Sequence, residues 1–344
     1  MSKDVNFRIR AITNGVLAED YLSDTTIEDV DVLHSGIHVF GQELWDKNAD
    51  TLGAKTRGAT TEYQLKRSTV GDVCVNEIIS VRDGNKPLDL IVCERSRNLV
   101  RARVVTDYRK KDVWGITARN PEQSYALAML MDPEIHFVTL NGPAGTGKTL
   151  IALAAGLAQM YDSKLYHEIV MTRATVPVGE DIGFLPGTEA EKMSPWMGAL
   201  WDNLEVLEGK RLPAEGMKGA RGATKDDMDD EWGRAATQSI LMKRIKVRSL
   251  NFMRGRTLLG RYFILDEAQN LTPKQMKTLV TRAGPGTKIV CLGNLKQIDS
   301  PYINETSSGL GYVIERFRGW EHSAHITLSQ IERSPLAEYA EQHL

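Results

Sequence analysis

One glycine-rich segment combines residue types that suit the binding of phosphate groups. It consists of Gly142, Pro143, Ala144, Gly145, Thr146, Gly147, Lys148 and Thr149. Their order fits the pattern G-x-x-x-x-G-K-[ST], in which glycines turn backbone N–H groups inward, the lysine reaches the β- and γ-phosphates, and the hydroxyl holds Mg²⁺. The apolar run 136–141 before it and the run 150–158 after it predict the strand and the helix that such a loop requires. The segment therefore predicts a nucleotide-binding loop.

An adjacent pair of acids forms the second candidate for chemistry. Asp266 and Glu267 follow the apolar, strand-like run 261–265. An aspartate at a strand tip can hold the shell of Mg²⁺ through water, and a glutamate beside it can polarise an attacking water. The alternative is that two acids simply begin a solvated loop. The phosphate-binding loop elsewhere in the chain favours the catalytic interpretation, and the adjacent pair favours hydrolysis over phosphate transfer to a substrate hydroxyl.

Three further polar residues are candidates for the same site. Gln123 could select ATP by contacting the edge of the adenine base, or it could complete a helix-capping box with Asn120. Gln297 follows a predicted strand at the sheet edge where open α/β folds bind ligands, so it is a candidate sensor of the γ-phosphate. Arg333 could meet the charge that develops on the transferred phosphoryl group, or it could be an ordinary surface arginine. Arg173, at another strand end, could contact a nucleic-acid backbone or form a structural ion pair.

The elements that must position these residues form an α/β pattern between residues 116 and 344. Strand-like and helix-like segments alternate there, which predicts a parallel sheet covered by helices on both faces. The five predicted core strands are Phe137–Asn141, Glu168–Arg173, Tyr262–Asp266, Lys288–Gly293 and His325–Leu328. Five parallel strands and a phosphate-binding loop fit a P-loop NTPase core. Residues 208–231 are polar and glycine-rich, which predicts a mobile insertion.

The preceding residues, 24–115, predict a small β-rich module. Short β-branched runs such as 73–81 and 88–93 are separated by turn signals. Residues 53–61 show no apolar period and are predicted to form an exposed loop. The basic stretch from Arg95 to Lys111 is either a solvated strand face or an RNA contact.

Composition limits the class of protein. Hydrophobic residues make up 42% of the 344 residues and charged residues 26%, proportions typical of a globular protein with a sizeable core. A formal net charge of −2 provides no global attraction for nucleic acid, so an RNA partner would have to meet local basic patches. The start of the chain has no apolar leader, and no run approaches the roughly 18 apolar residues of a membrane span. The sequence therefore predicts a cytoplasmic protein without a membrane partner.

Taken together, these motifs resemble the PhoH-like ATPases, whose core is related to superfamily 1 helicases. The resemblance runs from about residue 113 to the end and includes residues 114–123, 183–187, 192–196, 266–270 and 333–337. It implies ATP hydrolysis coupled to remodelling of single-stranded RNA, in homo-oligomers that are hexameric rings. It also implies that Arg333 completes an ATP site, either in its own subunit or in a neighbour. One departure is Asn294, where much of the family has aspartate.

The N-terminal residues 1–23 look like the remnant tail of a PIN nuclease domain, which larger relatives carry fused to this ATPase. The β-rich module then looks like the linker of such fusions. One or two acids cannot build the metal site that phosphodiester cleavage needs, so the sequence predicts no RNase activity.

Three functional hypotheses follow. The leading one is a Mg²⁺-dependent ATPase that moves or unwinds RNA. The second is a nucleotide-dependent oligomeric scaffold or switch that acts on a protein partner without RNA. The third is a phosphotransferase, which the acid pair disfavours.

Overall fold

The computed structural model describes residues 10–16, 33–48, 53, 55–57, 60–82, 87–174, 198, 200, 202–207, 244–250, 255–300, 303–332 and 339. Within them the chain builds two six-stranded sheets. The predicted insertion 208–231, most of the predicted nuclease remnant, and the family motifs at 183–187, 192–196 and 333–337 lie outside the described residues. No helix in the described part of the chain is both long and apolar enough to cross a lipid bilayer.

The smaller sheet forms the β-rich module. Its strands are β1 (Ile37–Phe40), β2 (Lys55–Arg57), β3 (Thr60–Lys66), β4 (Ile78–Val81), β5 (Leu88–Arg95) and β6 (Leu99–Val104), in the spatial order β1-β4-β5-β6-β3-β2. Neighbours are antiparallel except β1 and β4, which are parallel. Helix α1 (Glu43–Asn48) places Leu44 in a core with Leu65, Ile79, Leu90 and Val100. Helix α2 (Arg67–Val70) follows β3.

The prediction of an exposed loop at residues 53–61 is wrong. β2 lies in this stretch and pairs with the start of β3, residue 57 opposite residue 60. Such a pair is formed by backbone hydrogen bonds, which do not require an apolar period in the sequence. The domain bounds 1–23, 24–115 and 116–344 stay predictions.

The larger sheet is wholly parallel and has the order β12-β7-β11-β10-β8-β9. Its strands are β7 (Phe137–Asn141), β8 (Glu168–Arg173), β9 (Ile245–Val247), β10 (Arg261–Asp266), β11 (Lys288–Gly293) and β12 (Ser323–Thr327). The predicted α/β fold with a P-loop NTPase core is confirmed. The structure adds β9 to the five predicted strands.

Side chains that alternate along the strands supply a core on each face of this sheet. Tyr262 and Ile264 of β10 face the core formed with helices α3 (Pro121–Met131) and α4 (Lys148–Tyr161). Phe263 and Leu265 face the opposite core, which includes residues of α5 (Pro273–Val280) and α6 (Gly309–Phe317). Because the strands are covered on both faces, polar side chains are accessible mainly at the strand ends and in the loops.

Glu77 connects the smaller sheet to the end of helix α6. Its buried carboxylate accepts hydrogen bonds from Arg318 Nε, just after α6, at 2.9 Å and from the Cys74 N–H at 2.8 Å, and His38 Nε2 of β1 lies 2.7 Å away. Burial alone would raise the pKa of Glu77, but the neighbouring hydrogen bonds outweigh it and lower this pKa to about 2.

Replacing Glu77 by glutamine is expected to destabilise the protein at neutral pH. A pKa lowered from 4.5 to about 2 corresponds to roughly 3 kcal/mol of folding free energy. Because the pKa is lower in the folded state, this contribution is present above pH 4.5 and is lost as the pH falls toward 2. Urea unfolding of wild type and Glu77→Gln should therefore show a difference at pH 7 that shrinks in acid. An undiminished difference at pH 3 would contradict the assignment.

Candidate functional site

A cleft of about 610 Å³ opens at the carboxyl ends of the strands of the larger sheet. This volume suits a small-molecule ligand. The cleft is lined by Ile116, Thr117, Arg119, Gln123, Ala144, Gly145, Gly147, Lys148, Thr149, Leu150, Ile151, Met171, Thr172, Arg173, Leu200, Asn203, Val206, Val247, Asp266, Glu267 and Glu332. The glycine-rich loop and the acid pair thus line one cleft, although more than a hundred residues separate them in the sequence.

The loop between β7 and α4 has a backbone that only glycine readily adopts. Gly142, Gly145 and Gly147 have φ angles of +144°, +88° and +82°, values that glycine adopts at little cost. A Cβ on Gly142 would lie 2.1 Å from the carbonyl oxygen of Leu328, so a larger residue would displace the loop. Gly147 is the N-cap of α4, and the first amides of a helix have no acceptor within the helix. The loop therefore brings N–H donors and a positive dipole end to the cleft, as an anion requires.

Lys148 lies across this loop. Its Nζ donates to the carbonyl oxygens of Gly142 and Pro143, both at 2.7 Å, and lies 3.4 Å from Thr146 Oγ1. Thr146 is itself buried and donates to the Pro143 carbonyl. The ammonium is thereby held within the loop whose geometry suits a phosphate.

Asp266 is the last residue of β10 and faces the same cleft. β11 lies between β10 and β7, so the ends of β10 and β7 are roughly 10 Å apart. Burial and the neighbouring Glu267 raise the pKa of Asp266, whereas Arg173 and Lys148 act in the opposite direction. A buried carboxylate whose charged form is disfavoured gains from a bound cation, which makes Asp266 suited to Mg²⁺.

Glu267 is held at both carboxylate oxygens. Arg173 Nη2 lies 2.7 Å from Oε1, and Gln269 Nε2 donates to Oε2 at 2.6 Å. Glu267 also has a φ of +52°, a left-handed conformation that costs a non-glycine residue roughly 1–2 kcal/mol. Strained conformations of this kind are concentrated at functional sites.

Gln123 has both ends of its amide bonded to protein. Its Oε1 accepts from the Arg119 N–H at 2.9 Å, and its Nε2 donates to the Thr146 carbonyl at 3.0 Å. Asn120 caps α3 by accepting from the Gln123 N–H. The predicted cap is therefore present, but the predicted return bond to the Asn120 N–H is wrong, because the amide oxygen bonds one residue earlier. Gln123 instead connects the start of α3 to the glycine-rich loop.

Gln297 does not line the cleft. It is exposed on the loop after β11, and its carbonyl oxygen accepts from Gln269 Nε2 at 2.9 Å. Asn294 is nearly buried, and its Oδ1 accepts from the Lys296 N–H at 3.2 Å, a local turn contact. The role of Gln297 as a sensor of the γ-phosphate stays a prediction. Arg333 lies outside the described residues.

Three contributors to the site were not predicted to belong to the nucleotide cleft. Gln269 is fully buried and connects Glu267 to the loop after β11. Glu332 lines the cleft, donates its N–H to the Gly145 carbonyl at 3.0 Å, and accepts from Asn120 Nδ2 at 2.7 Å. Thr172 also lines the cleft, and its buried hydroxyl has no hydrogen-bond partner among the residues that the structure describes. Gln269 and Thr172 are buried and Glu332 is partly exposed, so the fold, rather than a contiguous motif, brings all three to this site.

The residues present fit a nucleotide with Mg²⁺. The loop is a tight turn in which Gly142, Gly145 and Gly147 have positive φ angles, and a Cβ at Gly142 would collide with the Leu328 carbonyl. Thr149 and Asp266 supply one hydroxyl and one carboxylate to the cleft. Mg²⁺ in nucleotide sites commonly uses one or two such groups, substrate phosphates and water. Across the described ranges no cluster of three or more His, Cys, Asp or Glu residues could hold a metal by itself, and such a site does not need one.

Two known proteins are similar to this chain over nearly its whole length. Protein PhoH2 of Bacillus subtilis is 36% identical over 351 residues, which cover 99% of this chain and 71% of that protein. Protein PhoH2 of Mycolicibacterium smegmatis is 30% identical over 339 residues, which cover 98% and 68%. Among solved structures, the Pyrococcus furiosus Hef helicase domain has a TM-score of 0.29 and 16% identity, over 61% of this chain and 38% of that one.

A second solved structure, arterivirus nonstructural protein 10 (helicase) with DNA, has a TM-score of 0.27 and 13% identity, over 76% of this chain and 50% of that one. At family level, the model described as PhoH-like protein matches residues 115–344, which is more than half of the chain. The chain therefore belongs to the PhoH-like protein family.

Proposed function

We propose that the chain is a cytoplasmic Mg²⁺-dependent ATPase that couples ATP hydrolysis to the remodelling of single-stranded RNA. The observation that carries this proposal is the single cleft that brings Lys148 and Thr149 of the glycine-rich loop together with Asp266 and Glu267. Loop amides and a lysine suit the triphosphate, and a carboxylate within the same cleft suits activation of water. This combination favours hydrolysis of ATP over transfer of its phosphate to a substrate hydroxyl.

In the proposed mechanism the chain's own residues bind, orient and polarise. Lys148 and the loop amides bind the β- and γ-phosphates and stabilise the charge that develops on them. Glu267 accepts the proton of the attacking water. Thr149 and Asp266 would hold Mg²⁺, which supplies charge neutralisation to the phosphate oxygens. Gln123, in the cleft lining, is the proposed contact for adenine.

The proposal of an RNA partner is supported by the family resemblance and by Arg173, a partly exposed cation at the edge of the cleft. Arg333 is proposed to complete the site, in the same subunit or across the interface of a hexameric ring. Both assignments extend the family resemblance to this chain.

The test is the rate of ATP hydrolysis with Mg²⁺ in the presence of single-stranded RNA, single-stranded DNA or no nucleic acid. The proposal expects hydrolysis that RNA stimulates more strongly than DNA. Hydrolysis indifferent to both nucleic acids would instead favour the nucleotide-dependent scaffold. Transfer of labelled phosphate from ATP to another molecule would favour a phosphotransferase.

A further inference from the structure

We propose that Arg173 and Gln269 clamp Glu267 in a restrained position, and that a backbone phosphate of single-stranded RNA opens this clamp by binding Arg173. The inference rests on the proposed function of Glu267 as the base that activates water. It adds a route by which RNA controls that base.

The clamp consists of two hydrogen bonds to the carboxylate of Glu267. A base must offer an oxygen to the proton of water. Arg173 Nη2 donates a hydrogen bond to Oε1 of Glu267 at 2.7 Å, and Gln269 Nε2 donates one to Oε2 at 2.6 Å. Short, charge-assisted bonds of this kind are the stronger hydrogen bonds in proteins. Both carboxylate oxygens of Glu267 are therefore engaged by protein groups, which fix the orientation of the carboxylate.

The two halves of the clamp differ in how firmly they are fixed. Gln269 is fully buried, its Oε1 accepts from the Asn294 N–H at 3.1 Å, and its Nε2 also donates to the Gln297 carbonyl at 2.9 Å. The side chain of Arg173 is 34% exposed and lines the cleft. Arg173 is therefore the half of the clamp that an incoming ligand can reach.

The chemistry of Arg173 favours a phosphate as that ligand. A guanidinium presents paired N–H donors that match phosphate oxygens, and it carries its charge at all physiological pH values. Arg173 Nε also lies 4.0 Å from Asp266 Oδ2. If the guanidinium moved away from Asp266 and Glu267, Asp266 would lose a nearby positive charge. A phosphate that takes Arg173 thus replaces one anionic partner of the guanidinium by another.

The position of Arg173 favours nucleic acid over the nucleotide as the source of this phosphate. In the sheet order β7-β11-β10-β8, Arg173 at the end of β8 is three strand spacings, roughly 14 Å, from the strand that carries the phosphate loop. The acid pair at the end of β10 lies between them. A phosphate held by Lys148 is therefore on the other side of the acids, whereas a chain of backbone phosphates could approach from the side of the sheet that carries β8 and β9.

The experiment compares steady-state ATP hydrolysis by the full chain, at saturating ATP and Mg²⁺, with and without polyuridine RNA. Arg173→Ala should hydrolyse ATP roughly tenfold faster than wild type in the absence of RNA, since it removes one charge-assisted bond that holds the base. RNA should then stimulate Arg173→Ala by less than about twofold. Adding Glu267→Gln to Arg173→Ala should abolish the gain, because the gain acts through Glu267.

A matched control is available on the same pair of strands. Arg261 and Glu168 form an ion pair of 2.9 Å at the opposite ends of β10 and β8, away from the cleft lining. Arg261→Ala should leave both the rate without RNA and the stimulation by RNA at wild-type values.

Two results would overturn the clamp: an Arg173→Ala variant that is no faster than wild type without RNA, or one that RNA stimulates as strongly as it stimulates wild type. A faster variant combined with a wild type that ignores RNA would overturn RNA as the opening ligand. The proposed function fails separately, if Glu267→Gln alone hydrolyses ATP normally. If wild type itself does not hydrolyse ATP, with or without RNA, both proposals are wrong.

Discussion

Lys148→Ala is expected to reduce ATP turnover to background, a loss of at least roughly a thousandfold. The ammonium lies within the phosphate loop, 2.7 Å from the carbonyl oxygens of Gly142 and Pro143. Removing it takes away the cation that binds the β- and γ-phosphates and the charge that stabilises the transition state. ATP affinity and the hydrolysis rate should be measured side by side, and both should fall.

The control for this change is Lys277→Ala. Lys277 is an exposed lysine in the last turn of α5, outside the cleft lining. It removes the same charge without touching the loop, so turnover should stay at the wild-type value. A Lys148→Ala protein with more than a tenth of the wild-type rate would show that the loop is not the phosphate site.

Glu267→Gln is expected to preserve ATP binding and to slow hydrolysis by roughly a hundredfold or more, the contribution of a positioned general base. Glutamine keeps the shape of the side chain and removes its ability to accept a proton. The affinity for ATP, measured by equilibrium binding, should therefore change little while the single-turnover rate falls. Glu315→Gln, at an exposed position of α6, is the matched control. Normal turnover by Glu267→Gln would remove this residue from the mechanism.

The core strands of the larger sheet could be predicted because each is a short apolar run that ends in turn or polar residues. β7, β8 and β11 begin and end at the predicted residues. The strand β12 begins two residues before the predicted start, since Ser323 and Ala324 are small or polar yet buried. β9 was missed because its apolar and polar residues alternate over only three positions, Ile245–Val247, fewer than a strand prediction needs.

The phosphate loop and the acid pair could be proposed because each is a contiguous motif with a known chemical role. The side-chain contacts that these residues make in the folded protein could not be predicted in the same way. Arg173 and Glu267 are 94 positions apart, and they meet only because β8 and β10 are neighbours in the sheet. The amide of Gln123 illustrates the same limit, since its bond to the Thr146 carbonyl depends on how α3 packs beside the loop.

The most direct test of the central claim is a crystal structure of the Glu267→Gln protein with ATP and Mg²⁺. The account predicts one triphosphate enclosed by the loop at 142–149, with its γ-phosphate in contact with Lys148 and the metal between Thr149 and Asp266. A nucleotide bound elsewhere, or one bound in the loop with Asp266 and position 267 directed away from its phosphates, would contradict it.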